Sequence, residues 1–526
     1  MTDNNNPAPL DRRVRDVMLM PASYAHPVTT VELIETHISC VFLTDDYVYK
    51  LKKPVVLDFV DFGSLERRHF FCKEEIRLNR PWAPDIYLGV VPITDDDGLI
   101  AIDGSGTPIE YAVKMRRFDQ RLRLDRQLEL GVLTIDDMRE LAAAIAARHE
   151  AAAVADSCDR ERLVGITIDF VRENFTALDG AIEQKTFTRL RDWSERELDR
   201  RCDVLWQRFD AGRVRECHGD LHLGNLVRLP AGITTFDCIE FNADLRMIDV
   251  FCDVGFLVMD LIARGRRDLA AHFLNRYLER SGDYVGCAVL DLYVVYRCLV
   301  RAKVSVIRAA EENAAAGRDK NREEAHRYCQ LALRQISRPA PVLIVMSGLS
   351  GSGKTRISTQ LMAAMPAIRL RSDIERKRLF GIAETADSHS PVGGGIYAPD
   401  ANERVYEHLA ATAKDILLSG HHVILDAAYL DADQRKAALA VAEACGTAAI
   451  IVRVEAPIDV LRARIRERAL AAGDASEADL AVLEHQFATK DDFDETEARL
   501  SIVCDNSSDV DIEALVGAIR KRTGLP

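Results

Sequence analysis

Between Thr36 and Lys52 apolar and polar side chains alternate: HISCVFL, a turn at Thr44-Asp45-Asp46, then YVYKLKK. Alternation with β-branched and aromatic residues predicts a hairpin. The period then changes. Phe70, Phe71, Ile76 and Leu78 recur near helical spacing behind Ser64, a residue suited to an N-cap, so 64–80 reads as a helix. Ile86–Ile93, Leu99–Ile102 and Ile109–Met115 read as further short strands. From Leu122 to Leu333 the pattern is mainly helical, with one island at Val214–Phe241. There Asn225–Leu229 and Ile233–Phe236 flank Pro230-Ala231-Gly232, a loop followed by a small hairpin. Gly286–Ala310 resumes as a helix, and Asn321–Arg338 is a charged helix ending at Pro339-Ala340-Pro341. Those prolines set an extended linker. Beyond it, apolar runs at Val342–Met346, Val423–Asp426 and Ala448–Glu455 alternate with helical stretches, the first at Arg356–Met365. That alternation predicts a mostly parallel α/β sheet.

These patterns divide the chain into a flexible start over 1–28, a β-rich lobe over 29–118, a helical lobe over 119–335, a linker over 336–341 and an α/β domain over 342–526. The length, 526 residues, suits about three structural units. Hydrophobic residues make up 48% and charged residues 29%, enough for large cores in a globular protein. The net charge of −14 disfavours a nucleic-acid coat or an anionic-membrane binder. No run approaches the roughly 20 apolar residues that span a bilayer, and MTDNNNPAPLDRR lacks the apolar core of a secretory signal. Twelve scattered cysteines without a C-x-x-C pair fit a reduced, cytoplasmic protein.

Two motifs carry chemistry. Gly348-Leu349-Ser350-Gly351-Ser352-Gly353-Lys354-Thr355 matches the P-loop pattern at every fixed position, between a strand and a helix. Its backbone amides, including those of Ser350, Gly351, Ser352 and Gly353, would wrap the phosphates of ATP. Lys354 would reach the β/γ-phosphates and Thr355 would ligate Mg²⁺. Asp373 follows where a second strand should end, placed either to take a proton from an acceptor hydroxyl or, with Ser372, to cap the next helix. Val423-Ile424-Leu425-Asp426 has the form of a metal-holding strand end, with Asp426 reaching Mg²⁺ through a water. Arg464 and Arg468 lie one helical turn apart, either as lid guanidiniums or as a solvated face.

The second motif is His218-Gly219-Asp220-Leu221-His222-Leu223-Gly224-Asn225, with Asp237 after the hairpin. Asp220 can orient and deprotonate a hydroxyl, while Asn225 and Asp237 can hold one metal between phosphates.

The C-terminal part, about 340–526, resembles the small P-loop kinases that include phage polynucleotide kinase, gluconate kinase and zeta-type toxins. The matching residues are the P-loop, Arg371-Ser372-Asp373 with Arg376, Asp426-Ala427-Ala428 with Arg435, and the arginine pair before Asp474-Ala475-Ser476. The resemblance implies Asp373 as acceptor-side base and Arg464 and Arg468 on a lid. Residues 30–335 resemble the aminoglycoside phosphotransferase and choline kinase branch of the protein-kinase-like fold, through H-G-D-x-x-x-x-N and Asp249-Val250-Phe251-Cys252-Asp253. It implies that Asp253 braces the catalytic loop. It also implies that Lys50 anchors ATP with Glu75 as its ion-pair partner, although Lys52 shares the strand face of Lys50 and Glu74 competes with Glu75. The order of the halves is similar to a bacterial family of bifunctional aminoglycoside-phosphotransferase/ATP-binding proteins.

Two departures stand out: no glycine-rich loop precedes Lys50, and the metal motif is Asp237-Cys238-Ile239 rather than D-F-G. The expectation is therefore an α+β kinase-like domain followed by an α/β P-loop kinase domain. Together they would be an enzyme with two ATP- and Mg²⁺-dependent sites that phosphorylates hydroxyls of small-molecule acceptors. The alternatives are an ATP-binding regulator with one or both sites silent, and a nucleic-acid end kinase, which the net charge disfavours.

Overall fold

The computed structural model describes residues 10–57, 60–312, 314–391, 393–470 and 478–525, with backbone alone at 468–470. The chain divides into two compact units, one of residues 1–137, 151–167 and 208–260, the other of 138–150, 168–207 and 261–526.

The first unit is built on a six-stranded antiparallel sheet in the order Glu32–Glu35, Ser39–Leu43, Tyr47–Lys52, Thr107–Arg116, Tyr87–Asp96, Leu99–Ile102. Strand alternation sets its chemistry. Tyr49 and Leu51 face an apolar cluster with Phe42, Ile93 and Ala112, so Lys50 and Lys52 project from the other side. Helix Leu65–Asn79, capped by Ser64 through the Arg67 amide, packs Cys72 and Ile76 against Tyr87 and Val113. Of the start, expected to be flexible over 1–28, residues 1–9 lie outside the described residues and the remainder is packed. Arg12–Leu19 is a helix capped by Asp11, and its Val14 and Met18 are buried in the cluster around Phe42. Only two apolar residues anchor that helix, too few to raise a periodic signal. The island seen in sequence is present as the hairpin Leu226–Leu229 with Gly232–Thr235.

The second unit holds a five-stranded parallel sheet in the order Ala367–Arg371, His422–Asp426, Val342–Ser347, Ala448–Glu455, Ser501–Asp505. All six residues of the central strand are buried, as a strand covered on both faces requires. Helices Lys354–Ala364 and Ile512–Thr523 cover one face, placing Ile357, Leu361, Leu515 and Ile519 against Val342, Ile344 and Met346. Among the described residues no helix is long and apolar enough to cross a membrane.

Candidate functional sites

In the first unit, four separate pieces of chain converge. Lys50 Nζ lies 3.0 Å from Glu75 Oε1 and 2.7 Å from Asp237 Oδ1. Glu75 is therefore the partner of Lys50; Glu74 instead pairs with Arg77 and Arg246 near the surface. Lys52 is a partner too. It is fully buried, 2.9 Å from Glu75 Oε2, and also pairs with Glu240. Burial pushes the Glu75 carboxyl up, but Lys50 and Lys52 overcome this and hold it down at about 2. Burial dominates at Glu240 and raises its carboxyl despite Lys52.

The loop carrying Asp220 is braced from beneath. Asp253 accepts from the amides of His218 and Gly219 at 2.7 and 3.0 Å, as the family resemblance implies. Asp260, not singled out in the sequence, accepts from Leu223 N at 3.0 Å. Gly219 has φ +83°, and a Cβ there would stand 2.7 Å from Leu245 O, so the middle position of H-G-D here admits only glycine. His218, buried, approaches Phe236 O through Nε2 at 3.0 Å, and desolvation lowers its basicity. Asn225 donates through Nδ2 to Asp220 Oδ2 at 2.8 Å. Asp237 holds a left-handed backbone, φ +61°, rare for a non-glycine residue. Tyr87 Oη accepts from its amide at 2.9 Å, and Asn79 Oδ1 accepts from the next amide at 2.8 Å. Asn225 and Asp237 offer hard oxygen donors on one loop and hairpin, a set that fits Mg²⁺.

In the second unit the P-loop leaves the central strand and enters helix Lys354–Ala364. Gly348 has φ +150°, and a Cβ there would approach Val454 O to 2.4 Å. Lys354 Nζ donates to Gly348 O and Leu349 O at 2.7 and 2.9 Å. Ser350 N donates to Gln486 Oε1 at 2.8 Å. Ser352 O accepts from Asn506 Nδ2 at 2.7 Å, and Ser352 Oγ is buried without a hydrogen-bond partner among the described residues. Thr355 Oγ1 lies 3.5 Å from Asp426 Oδ1, and Ser358 Oγ donates to Asp426 Oδ2 at 2.8 Å. A hydroxyl and a buried carboxylate converging beside a phosphate loop also fit Mg²⁺.

Asp373 sits in the first turn of helix Ser372–Leu379, directly after strand Ala367–Arg371. Neither Ser372 nor Asp373 caps that helix; Arg371 holds the cap position without a side-chain cap bond. Arg464 Nη2 donates to Asn506 O at 2.7 Å beside the loop, and its Nη1 is buried without a partner among the described residues. Arg468 lies on the same helix, Ile458–Leu470, but its side chain, like Asp474-Ala475-Ser476, falls outside the described residues. Arg376 and Arg435 are braces. Arg376 binds Ile396 O and Asn402, while buried Arg435 binds Glu497 at 2.9 and 3.0 Å. A cavity of about 550 Å³ opens beside Gly348, lined by Leu430, Arg453, Phe487, Lys490 and Phe493 among others.

A model of the phosphotransferase enzyme family matches residues 130–290, and a model of the AAA domain matches residues 343–491. The class is thus a kinase-like domain of the aminoglycoside phosphotransferase type followed by a P-loop kinase domain. Proteins of Mycobacterium tuberculosis and Mycobacterium bovis, both described as uncharacterized, are 30% identical to this chain over 460 residues, covering 86% of it and 90% of theirs. The chain belongs to the family of these proteins. Among solved structures, a choline/ethanolamine kinase family protein from Mesorhizobium loti is 12% identical, covering 61% of this chain and 99% of its own, with a TM-score of 0.38. A gluconokinase from Sinorhizobium meliloti is 18% identical, covering 36% and 92%, with a TM-score of 0.24.

Proposed function

We propose that this is a cytoplasmic phosphotransferase with two ATP sites, each moving the γ-phosphoryl group to a hydroxyl of a small-molecule acceptor. The observation that supports the reading is duplication: each unit has a cation or amide set suited to phosphates and hard-oxygen groups suited to Mg²⁺, Lys50 beside Asp237 in the first and the P-loop with Thr355 beside Asp426 in the second. In the first unit Asp220 takes the acceptor proton, Lys50 held by Glu75 meets the phosphates, and Asn225 and Asp237 hold Mg²⁺. In the second unit Asp373 takes the proton, and Lys354 and the amides of the P-loop hold the phosphates. There Thr355 and Asp426 hold Mg²⁺, and Arg464 and Arg468 act from the lid. Bound Mg²⁺ would neutralise phosphate charge; positioning by the chain supplies the rest.

The test is ATP turnover in Lys354→Ala, Asp220→Ala and the double variant. Turnover retained in each single variant and lost in the double supports two working sites; unchanged turnover in the double variant overturns the reading. Incubation with γ-labelled ATP and a metabolite extract identifies the acceptor. A second reading applies to the first unit alone. The turn before Lys50 is Thr44–Tyr47, closed by Thr44 Oγ1 rather than by glycines. Tight ATP binding there with no phosphorylated product would make it a nucleotide-reading regulator.

A further inference from the structure

Helix Arg267–Ser281 lies inside the stretch matched by the phosphotransferase model, yet its residues are built into the P-loop unit. Ala271 belongs to the apolar cluster of the parallel sheet. Asn275 works as a short strand. Its Nδ2 donates to Ala367 O at 2.9 Å and its Oδ1 accepts from Arg369 N at 2.7 Å, satisfying the edge strand Ala367–Arg371. One turn on, Glu279 Oε1 pairs with Arg369 Nη2 at 2.8 Å, both side chains buried. The other end of the same guanidinium reaches the P-loop helix. Arg369 Nη1 is 3.4 Å from Thr355 O and from Ser358 Oγ, and it bonds Thr359. It stands 4.0 Å from Asp426 Oδ2. The segment also grips the helix of Asp373: Arg378 donates to Glu279 O, and Tyr284 Oη donates to Glu375 Oε1 at 2.9 Å.

A buried arginine beside Asp426 competes with a divalent cation for that carboxylate. In a medium where charges are weakly screened, this competition is strong. Glu279 neutralises the arginine and draws it away. Resting on the reading of Thr355 and Asp426 as the Mg²⁺ holders, we infer that Glu279 and Arg369 are positioning residues of the P-loop site. Glu279, supplied by the preceding helix, keeps Arg369 from occupying Asp426. The P-loop site is completed by chain that precedes the linker, and the state of helix Arg267–Ser281 sets its metal affinity.

The experiment uses the full chain and binding of methylanthraniloyl-ADP, taking the component lost in Lys354→Ala and titrating MgCl₂. Glu279→Gln is expected to raise the Mg²⁺ midpoint by about tenfold. Adding Arg369→Met to it should bring the midpoint back to within about threefold of wild type, because the competing charge is gone. A merely structural role would lower the melting temperature of both variants and leave the midpoint in place, and that result overturns the inference. If Glu279→Gln does not fold, Glu279→Asp keeps the charge and shortens its reach. It should shift the midpoint about threefold the same way, and no shift overturns the inference. Binding in wild type that ignores Mg²⁺ and survives Lys354→Ala would overturn the proposed P-loop function itself, a separate failure.

Discussion

The two candidate sites reach similar equipment by opposite routes. The P-loop site is local. Gly348 to Thr355 is one uninterrupted stretch, and its donors are backbone amides that any sequence with the right glycines could present. The first site is assembled from distant pieces. Lys50 meets Asp237 across 187 residues of sequence, and Lys52 meets Glu240 across 188. A site made of backbone is robust to its surroundings but needs special dihedrals. A site made of buried ion pairs needs every partner, because each charge left alone in the interior is costly.

The largest expected effects bear on chemistry. Asp220→Ala and Asp373→Ala should each reduce phosphoryl transfer at their own site by about 10²- to 10⁴-fold, the range for a positioned general base. Single-turnover transfer of γ-labelled phosphate, read on acceptors identified for each site, checks both. If one carboxylate proves dispensable, that site transfers phosphate by positioning alone and the symmetry between the two is broken.

Next comes stability. Lys52→Met leaves Glu75 and Glu240 buried together without their shared cation, and should cost about 3–5 kcal/mol. Lys50→Met leaves Glu75 paired with Lys52 and should cost less, while weakening ATP binding more. Denaturant midpoints set against nucleotide affinity for the two variants separate these roles. Equal losses of both kinds in both variants would mean that the two lysines form one unit.

That distinction also marks what a sequence can disclose. The P-loop, the H-G-D loop and the alternation that sets Lys50 and Lys52 on one face are contiguous, so their chemistry is legible residue by residue. Choosing Glu75 over Glu74 is not, because adjacent helix positions differ only in which way the helix faces. Glu240 stands three residues after Asp237, but nothing local tells a buried carboxylate from a surface one. Asp260, Asn79, Gln486 and Arg369 reach partners far away in sequence through side-chain hydrogen bonds and, for Arg369, an ion pair, and no spacing rule encodes them. The helix Arg12–Leu19 was illegible for another reason: two buried residues among charged ones resemble a solvated tail.

Acid should separate the two units. His421 and His422 are both lowered to about 4, first by burial. His422 Nδ1 accepts from Val342 N at 3.0 Å, at the base of the P-loop strand. A histidine held neutral by the fold binds its proton more readily when unfolded. Its contribution is therefore complete above the ordinary value of 6.5 and lost as pH falls toward 4, about 3 kcal/mol for each. Glu75, depressed from 4.5 to about 2, contributes fully above 4.5 and loses its share only below that. Amide protection factors between pH 7 and 5 should fall in Val342–Ser347 and hold in Tyr47–Lys52. Parallel loss in both strands would show that the two units open together.

The smallest expected effect tests whether the local site is as self-contained as its sequence suggests. Gln486 Oε1 accepts from Ser350 N, so a side chain 136 residues away occupies one of the amides proposed to hold phosphate. Nucleotide entering the loop must compete with that bond, worth about 0.5–1.5 kcal/mol net. Gln486→Ala removes the competitor and leaves the loop backbone unchanged, so the affinity of the Lys354-dependent component for methylanthraniloyl-ADP should rise about two- to tenfold. Gln486→Glu should push the opposite way, because a carboxylate there accepts more strongly from the amide and repels phosphate. A loss of affinity in Gln486→Ala would reverse the sign and make Gln486 part of the nucleotide cradle. The P-loop site would then depend on a distant side chain as the first site does, and the contrast between them would narrow to one of degree.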